Sequence, residues 1–168
     1  MKKIYFIIGA SGSGKTVAAK ALEKMSIESL KFYYFDSIGV PSPDEMNRNW
    51  GSGEEWQRAT TIEWVRRMKS EESDYVVLDG QTRPSFISEA CNKNTVENYK
   101  IILVDCSDEI RKARLISRGH PELANEQMMN WAKFLRIETE KQSGTIINND
   151  SISVEGTAMK IKDLILNN

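Results

Sequence analysis

The sequence predicts an α/β protein built on a five-stranded parallel sheet with helices on both faces. The chain has 168 residues and contains five short apolar runs, each continuous rather than alternating, as is typical of strands buried on both faces. Segments of helical periodicity separate the runs, and this alternation favours a parallel sheet between two helical layers. The predicted strands are residues 4–8, 32–35, 75–78, 101–104 and, more weakly, 145–147.

Six helices are predicted in the remaining segments, and two stretches are expected to lack regular structure. The predicted helices are residues 16–25, 54–69, 84–92, 108–117, 125–141 and 154–166. Residues 37–53 contain Pro41 and Pro43 and predict a loop, and residues 118–125 predict a short polar turn. Both stretches should lie at the ligand-binding edge of the sheet, where mobile lids are common. We expect residues 1–168 to form one domain.

The composition argues against several functional classes. The chain carries 23 Lys and Arg against 24 Asp and Glu, a net charge of −1, which gives no basic footprint for nucleic acid or an anionic membrane. Cys91 and Cys106 have neither disulfide nor zinc spacing and favour a reducing cytosol. The first apolar run is too short for a secretory signal, and no segment approaches the roughly 20 apolar residues of a membrane span. We therefore expect a cytoplasmic protein without nucleic-acid or membrane partners, and leave open whether it is a monomer or a dimer.

A phosphate-binding motif follows the first predicted strand. Residues 9–16 are Gly-Ala-Ser-Gly-Ser-Gly-Lys-Thr and match G-x-x-x-x-G-K-[ST] in full. Glycines here let backbone N–H groups turn inward around phosphate oxygens, and the next helix directs its positive end at the anion. Lys15 is expected to reach the β- and γ-phosphates and Thr16 to ligate Mg²⁺, so we expect ATP and Mg²⁺ as cofactors. The expected nucleotide-binding residues of this loop are Gly9, Ser11, Gly12, Ser13, Gly14, Lys15 and Thr16.

Three of the predicted strands end at an aspartate. These residues are Asp36, Asp79 and Asp105. Because ligands bind beyond the carboxyl ends of parallel strands, the three aspartates should converge on the phosphate loop. Asp79 is the expected partner of Thr16 at Mg²⁺, since an acid at the end of that strand can hold the metal directly or through water.

Three further segments resemble adenylate kinases. Residues 78–83, Leu-Asp-Gly-Gln-Thr-Arg, resemble the Leu-Asp-Gly-Phe-Pro-Arg segment of those enzymes, and residues 104–110 with Arg114 and Arg118 resemble the stretch that opens their lid. Residues 146–150 resemble their last strand and adenine-side loop, which implies that Asn149 lies at the nucleotide. This sequence lacks their Phe-Pro pair, their Thr-Gly-Asp acceptor signature and their large lid. The resemblance therefore indicates the broader P-loop nucleoside/nucleotide kinase-like superfamily, which includes shikimate and gluconate kinases and antibiotic phosphotransferases, and implies a P-loop NTPase fold.

The resemblance assigns residues 36–70 to binding of the phosphoryl acceptor. Kinases of this superfamily that phosphorylate a hydroxyl place a carboxylate where Asp36 lies, so Asp36 is expected to orient the hydroxyl and accept its proton. Arg58 and Arg83 are candidates for binding an anionic group of the acceptor through bidentate hydrogen bonds. Three tryptophans in this region either wall a pocket for a ring-containing acceptor or attach a helical flap to the sheet. They are Trp50, Trp56 and Trp64.

Residues 118–136 are expected to form a short lid. Arg111, Arg114 and Arg118 recur at i, i+3 and i+7, so they share one face of the predicted helix, which a solvated surface would also explain. We expect Arg118 to contact the phosphates, Arg114 to lie over the adenine or the phosphates, and Arg111 to be a bystander. Arg136 is expected to reach phosphate in the closed state, because arginines there stabilise the charge that spreads over the migrating phosphoryl group.

These features predict an ATP-dependent kinase that transfers the γ-phosphoryl group of Mg·ATP to a hydroxyl or phosphate of a small molecule. The expected catalytic residues are Lys15, Asp36, Arg118 and Arg136. The alternatives are a nucleotide-dependent regulatory or adaptor ATPase with a protein partner, and a polynucleotide-end kinase. The sequence has no Glu after Asp79 to activate water, which argues against the ATPase. A polynucleotide-end kinase would need a basic channel, which the net charge of −1 does not favour.

Overall fold

The computed structural model describes residues 2–167 and contains a sheet of five parallel strands. The strands are β1 (Lys3–Ile8), β2 (Leu30–Tyr34), β3 (Tyr75–Gly80), β4 (Tyr99–Asp105) and β5 (Thr145–Asn148). They lie in the order β2-β3-β1-β4-β5, and every neighbouring pair is parallel. The predicted five-stranded parallel sheet is therefore confirmed.

Helices fill the connections between the strands. The α-helices of residues 2–167 are α1 (Lys15–Glu23), α2 (Pro43–Trp50), α3 (Gly53–Ser70), α4 (Pro84–Lys93), α5 (Asp108–Ser117), α6 (Glu126–Lys141) and α7 (Val154–Leu166). Two short 3-10 helices, Phe35–Ile38 and Pro121–Leu123, follow β2 and α5. Within the described part of the chain, no helix combines the length and apolar character needed to cross a membrane.

Both faces of the sheet are covered, as the sequence predicts. Side chains alternate along a strand, so neighbouring residues of β1 serve opposite faces. Phe6 packs with residues of α3, α4 and α6, whereas Ile7 packs with residues of α1 and α7. Burial of each large apolar side chain contributes about 1.5–3 kcal/mol, so the two clusters hold the strand ends in a fixed arrangement.

One segment differs from the sequence prediction. Residues 37–53 are predicted to be a loop, but Pro43–Trp50 forms α2. The Ser42 side chain accepts a hydrogen bond from the Glu45 N–H, and the Glu45 carboxylate accepts one from the Ser42 N–H. Pro43 lies in the first turn, where a missing N–H costs nothing, and Gly51 ends the helix with a φ of 89°. The proline that suggests a loop in the sequence is thus a helix-start residue.

Two of the three tryptophans attach residues 36–70 to the sheet. Trp56 and Trp64 are buried, and the Trp64 indole N–H donates to the Phe35 carbonyl at 3.1 Å. Trp56 meets the Phe35 ring edge to face, with 5.9 Å between the ring centroids. Trp50 is 39% exposed at the end of α2. The packing alternative therefore holds for Trp56 and Trp64.

Candidate active site

The phosphate loop connects β1 to α1 and needs glycine where the backbone is crowded. A Cβ atom on Gly9 would lie 2.6 Å from the Val104 carbonyl oxygen, so no other residue fits without a backbone shift. Gly14 has a φ of 84° and precedes α1, and no side chain caps that helix. The first N–H groups of α1 therefore remain available for an anion. The loop encloses a cavity of about 160 Å³ that Gln81 and Arg118 also line.

Lys15, Thr16 and Asp79 form a connected polar group at the base of this cavity. The Lys15 Nζ donates to the Thr16 hydroxyl at 3.1 Å and lies 3.2 Å from the Asp79 Oδ1. The Thr16 hydroxyl donates to the Asp79 Oδ2 at 3.1 Å. Burial raises the pKa of the Asp79 carboxyl, and the negative charge of Asp36 raises it further. The positive charge of Lys15 and the hydrogen bond from Thr16 lower this pKa but do not cancel the increase. The structure thus brings together the two residues predicted to ligate Mg²⁺.

The oxygens of this group suit Mg²⁺. Within residues 2–167, the buried Asp79 Oδ1 has the Lys15 ammonium at 3.2 Å as its ion-pair partner and makes no well-oriented hydrogen bond. A buried carboxylate oxygen that is held only by this ion pair keeps the capacity to accept a metal ion. Mg²⁺ takes oxygen ligands and usually keeps several waters and substrate phosphates. Thr16 and Asp79 therefore fit the metal as a pair of protein ligands.

A larger cavity of about 600 Å³ adjoins the phosphate loop on the β2 side. Asp36 lies in the 3-10 helix after β2, and its exposed carboxylate lines this cavity. Lys15, Thr16 and Asp79 line the same space. A small molecule in this cavity would therefore lie between the predicted base and the predicted phosphate and metal ligands. The remaining lining residues are Lys20, Tyr34, Phe35, Gly80 and Gln81.

Arg114 and Asn149 hold the phosphate loop from the side of β5. The Arg114 guanidinium donates to the Asn149 side-chain oxygen at 3.0 Å and to the Ser13 carbonyl at 3.2 Å. The Asn149 side-chain N–H donates to the same Ser13 carbonyl at 2.7 Å. Both residues therefore lie against the loop, close to where the sequence predicts nucleotide contacts. Their direct contact with nucleotide stays a prediction.

Arg111 is a structural part of the site rather than a bystander. Its side chain is fully buried, and the guanidinium donates to the Asp105 Oδ1 at 2.7 Å and to the Ser11 carbonyl at 3.1 Å. Asp105 also accepts a hydrogen bond from Arg136 on α6, with 2.7 Å between the Arg136 Nε and the Asp105 Oδ2. Charged side chains therefore connect the phosphate loop, the end of β4 and α6.

Arg118 is the arginine that reaches the phosphate cavity from the lid side. It caps the end of α5, is exposed, and lines the cavity of the loop. Gly119 follows with a φ of 80°, which ends the helix in a left-handed conformation. The expected polar turn after it contains the 3-10 helix Pro121–Leu123 and leads into α6. Arg136, by contrast, is engaged with Asp105, so a contact with phosphate would require it to move.

The two arginines predicted to bind an anionic acceptor are both occupied by carboxylates. Arg58 donates to both oxygens of Glu89, at 2.6 and 2.8 Å, and so joins α3 to α4. Arg83 donates to Gln57 at 2.7 Å and to Glu54 at 3.1 Å. Arg58 thus serves a helix–helix contact. Arg83 also lines a separate cavity of about 490 Å³.

Comparisons with known proteins assign this site to a family. A protein-family profile described as an AAA domain matches residues 6–142, which include the phosphate loop, Asp36 and Asp79. The chain belongs to this AAA-domain family. Adenylate kinases are related to it: that of Nautilia profundicola is 25% identical over 174 residues, covering 96% of this chain and 88% of the relative. That of Helicobacter hepaticus is 25% identical over 152 residues, covering 77% of this chain and 75% of the relative.

The fold of this AAA-domain chain is shared with small-molecule kinases. The structure of shikimate kinase from Acinetobacter baumannii, in complex with shikimate, superposes with a TM-score of 0.70 at 14% identity. The match covers 99% of this chain and 94% of that one. The profile, the relatives and the fold together confirm the P-loop nucleotide kinase-like superfamily that the sequence resemblance indicates.

Sequence reasoning missed three features of this AAA-domain site. Arg111 was expected to be a bystander because helical spacing does not reveal how deeply one residue of a face is buried. Asp105 is expected from its place at a strand end to converge on the phosphate loop, but the sequence does not reveal its partners, which are Arg111 and Arg136. Gln81 occupies the position of Phe in the adenylate kinase segment. A polar residue in place of an apolar one next to the phosphate loop could have indicated a role for Gln81 at the site.

Proposed function

We propose that this chain is an ATP-dependent kinase that transfers the γ-phosphoryl group of Mg·ATP to a hydroxyl group of a small molecule. The observation that carries the proposal is the shared cavity in which Asp36 faces Lys15, Thr16 and Asp79. A carboxylate in that place suits a hydroxyl acceptor, which must lose a proton. The two arginines predicted to bind an anionic acceptor, Arg58 and Arg83, are engaged by Glu89 and Glu54, which leaves Lys20 as the additional cation that lines the cavity.

Four residues of the cavity have a definite role in the proposed reaction. The acceptor oxygen attacks the γ-phosphorus, the bond between that phosphorus and the β–γ bridging oxygen breaks, and ADP leaves. Asp36 accepts the proton of the acceptor hydroxyl, and Lys15 neutralises charge on the β- and γ-phosphates. Thr16 and Asp79 would hold Mg²⁺, which when bound neutralises charge that develops between the two phosphates.

The arginines complete the phosphate side of the proposal. Arg118 lines the phosphate cavity and is placed to contact the phosphates there. Arg114 and Asn149 fix the loop and flank the nucleotide. Arg136 would leave Asp105 when residues 118–136 close as a lid, because a phosphoryl group carries more negative charge than one carboxylate. We further propose that residues 36–70 form the acceptor side of a single catalytic domain.

The test is acceptor-dependent release of ADP by the purified protein. Candidate acceptors are nucleosides, nucleotides, sugars, shikimate, aminoglycosides and chloramphenicol, each tested with Mg·ATP. We expect one class of hydroxyl compound to raise ADP release well above the rate without acceptor, and the Lys15→Ala variant to abolish the increase. ADP release that no acceptor stimulates would contradict the proposal and favour an ATPase with a protein partner.

A further inference from the structure

Gln81 lies between the phosphate cavity and the acceptor cavity. It follows β3 directly, and it lines both cavities together with Lys15 and Thr16. Its side-chain Nε2 donates to the Ser11 hydroxyl of the phosphate loop at 3.1 Å. A phosphoryl group that moves from ATP to an acceptor must pass the residues that both cavities share. Gln81 is therefore next to the path of the transferred group.

A neighbouring tryptophan fixes which way the Gln81 amide points. The Trp131 Nε1 lies 3.3 Å from the Gln81 Oε1 and donates to it. An indole N–H can only donate, so it selects the oxygen end of the amide and leaves the N–H end facing the phosphate loop. One amide N–H is used by Ser11, and within residues 2–167 the second has no protein acceptor. The second N–H is therefore available to a ligand in the cavities that Gln81 lines.

The indole that orients Gln81 is itself held in place. Trp131 stacks on Phe134, with ring centroids 5.4 Å apart and an interplanar angle of 16°. The Arg83 guanidinium carbon lies 5.1 Å from the centroid of the Trp131 ring. The main chain of Gln81 is also fixed, because its carbonyl accepts a hydrogen bond from the Gln57 side chain at 2.9 Å. The amide is thus positioned before any ligand binds.

We propose that Gln81 donates a hydrogen bond to the phosphoryl group in transfer, and that Trp131 is a positioning residue that keeps the amide in the donating orientation. This inference rests on the proposed kinase function. Preorganised donors directed at oxygens that gain charge in the transition state stabilise that state more than the ground state. An apolar residue in place of Gln81 could not serve in this way. The role therefore depends on this side chain and not on the loop alone.

The test measures binding of a transition-state mimic, which needs no acceptor. Calorimetry compares Mg·ADP with Mg·ADP plus aluminium fluoride for wild type, Gln81→Met, Gln81→Glu, Trp131→Phe and the double variant Gln81→Met/Trp131→Phe. Met keeps the length of the side chain without its N–H. Glu keeps the oxygen that accepts from Trp131 but removes the amide donor. Phe keeps an aromatic ring next to Phe134 and removes the indole N–H together with the rest of the five-membered ring.

We expect the Gln81→Met change to weaken binding of the aluminium fluoride complex about tenfold or more while Mg·ADP affinity changes less than about twofold. Gln81→Glu should lose at least as much. Trp131→Phe should cost about threefold in the wild-type background and nothing further in the Gln81→Met background, since the indole acts through the amide. Equal losses for Mg·ADP and its fluoride complex, or additive losses in the double variant, would overturn the inference.

A Lys15→Ala control separates this inference from the proposed function. If wild type gains affinity from aluminium fluoride and Lys15→Ala does not, the phosphate site works as proposed, and insensitivity to Gln81 then removes only the inference. If wild type gains no affinity that depends on Lys15, the inference is wrong, and the kinase proposal is then decided separately by acceptor-stimulated release of ADP. Thermal melting of each variant within a few degrees of wild type shows that the changes in affinity do not reflect unfolding.

Discussion

Lys15 and Asp79 form an ion pair within the candidate active site, with 3.2 Å between the Lys15 Nζ and the Asp79 Oδ1. The side chains are only 12% and 4% exposed. The proposed reaction needs each partner for something else, since Lys15 must meet phosphate and Asp79 must meet Mg²⁺. The ion pair therefore keeps a lysine and a carboxylate in place until Mg·ATP supplies a better partner to each.

Loss of the lysine should weaken nucleotide binding. In the Lys15→Ala variant, ATP affinity should fall about tenfold to a hundredfold, because a hydrogen bond to a charged phosphate is lost. Titration calorimetry with Mg·ATP measures this change. Lys24→Ala, an exposed lysine at the end of the same helix, is the matched control and should bind like wild type. Unchanged affinity in Lys15→Ala would remove the basis of the proposed function.

Asp79 should make the stability of the ligand-free protein depend on pH. Its pKa is raised above 3.8 in the folded state, chiefly by burial, so the folded protein favours the protonated acid. The stability that this group contributes is present below about pH 3.8 and is lost as pH rises through the raised pKa. Asp79→Asn avoids that loss. The melting temperature of Asp79→Asn minus that of wild type should therefore increase from pH 4 to pH 7 in the absence of Mg²⁺. A decrease in this difference would show that folding favours the ionised carboxylate.

Asp36 should act in the transfer step rather than in nucleotide binding. With the acceptor found by the ADP-release screen, Asp36→Asn should lower kcat about 10²- to 10⁴-fold, because a general base is lost. The KM for ATP should stay within about twofold of wild type. Steady-state kinetics with both substrates varied gives the two values. Asp44→Asn, in the first turn of α2, is the control, and full activity of Asp36→Asn would rule out a base.

The buried ion pair of Arg111 and Asp105 should be costly to break. Arg111→Met removes the buried guanidinium and leaves a carboxylate that is 5% exposed with Arg136 as its remaining partner. Removing one member of a buried pair typically costs about 3–5 kcal/mol in unfolding free energy. Urea denaturation measures the loss. Arg66→Ala breaks the exposed pair with Glu63 and should cost less than about 1 kcal/mol, so equal losses in the two variants would contradict the structural role of Arg111.

The lid arginines should contribute to the rate of phosphoryl transfer in a definite order. Arg118→Ala should slow single-turnover transfer most, about 10³-fold, because Arg118 already lines the phosphate cavity. Arg136→Ala should slow it less, since Arg136 must first leave Asp105. Arg114→Ala should mainly weaken nucleotide binding through loss of its contact with Ser13. If all three variants transfer phosphate at the wild-type rate while folded, the arginine face is only a surface.

Local patterns in the sequence were enough to predict the sheet and the phosphate loop. Short continuous apolar runs that alternate with helical segments are typical of strands buried on both faces, and the glycines, Lys15 and Thr16 of the loop are adjacent in the chain. Asp36 and Asp79 could be predicted to meet because parallel strands share one carboxyl edge. The exception was α2. The presence of Pro43 does not by itself show whether the proline starts a helix or interrupts one.

The contacts between distant segments were decided by the tertiary structure alone. The sequence shows only that Arg58, Arg83 and Arg111 carry positive charge. Their partners are Glu89, Glu54 and Asp105, and folding determines which carboxylate lies within reach. The same holds for Gln81 and Trp131, which are 50 residues apart and meet because α6 packs beside the end of β3. The charge and the hydrogen-bonding capacity of a residue are known from its type. Which partner it contacts depends on distances of a few ångströms, and these are determined jointly by many packing contacts in the folded protein.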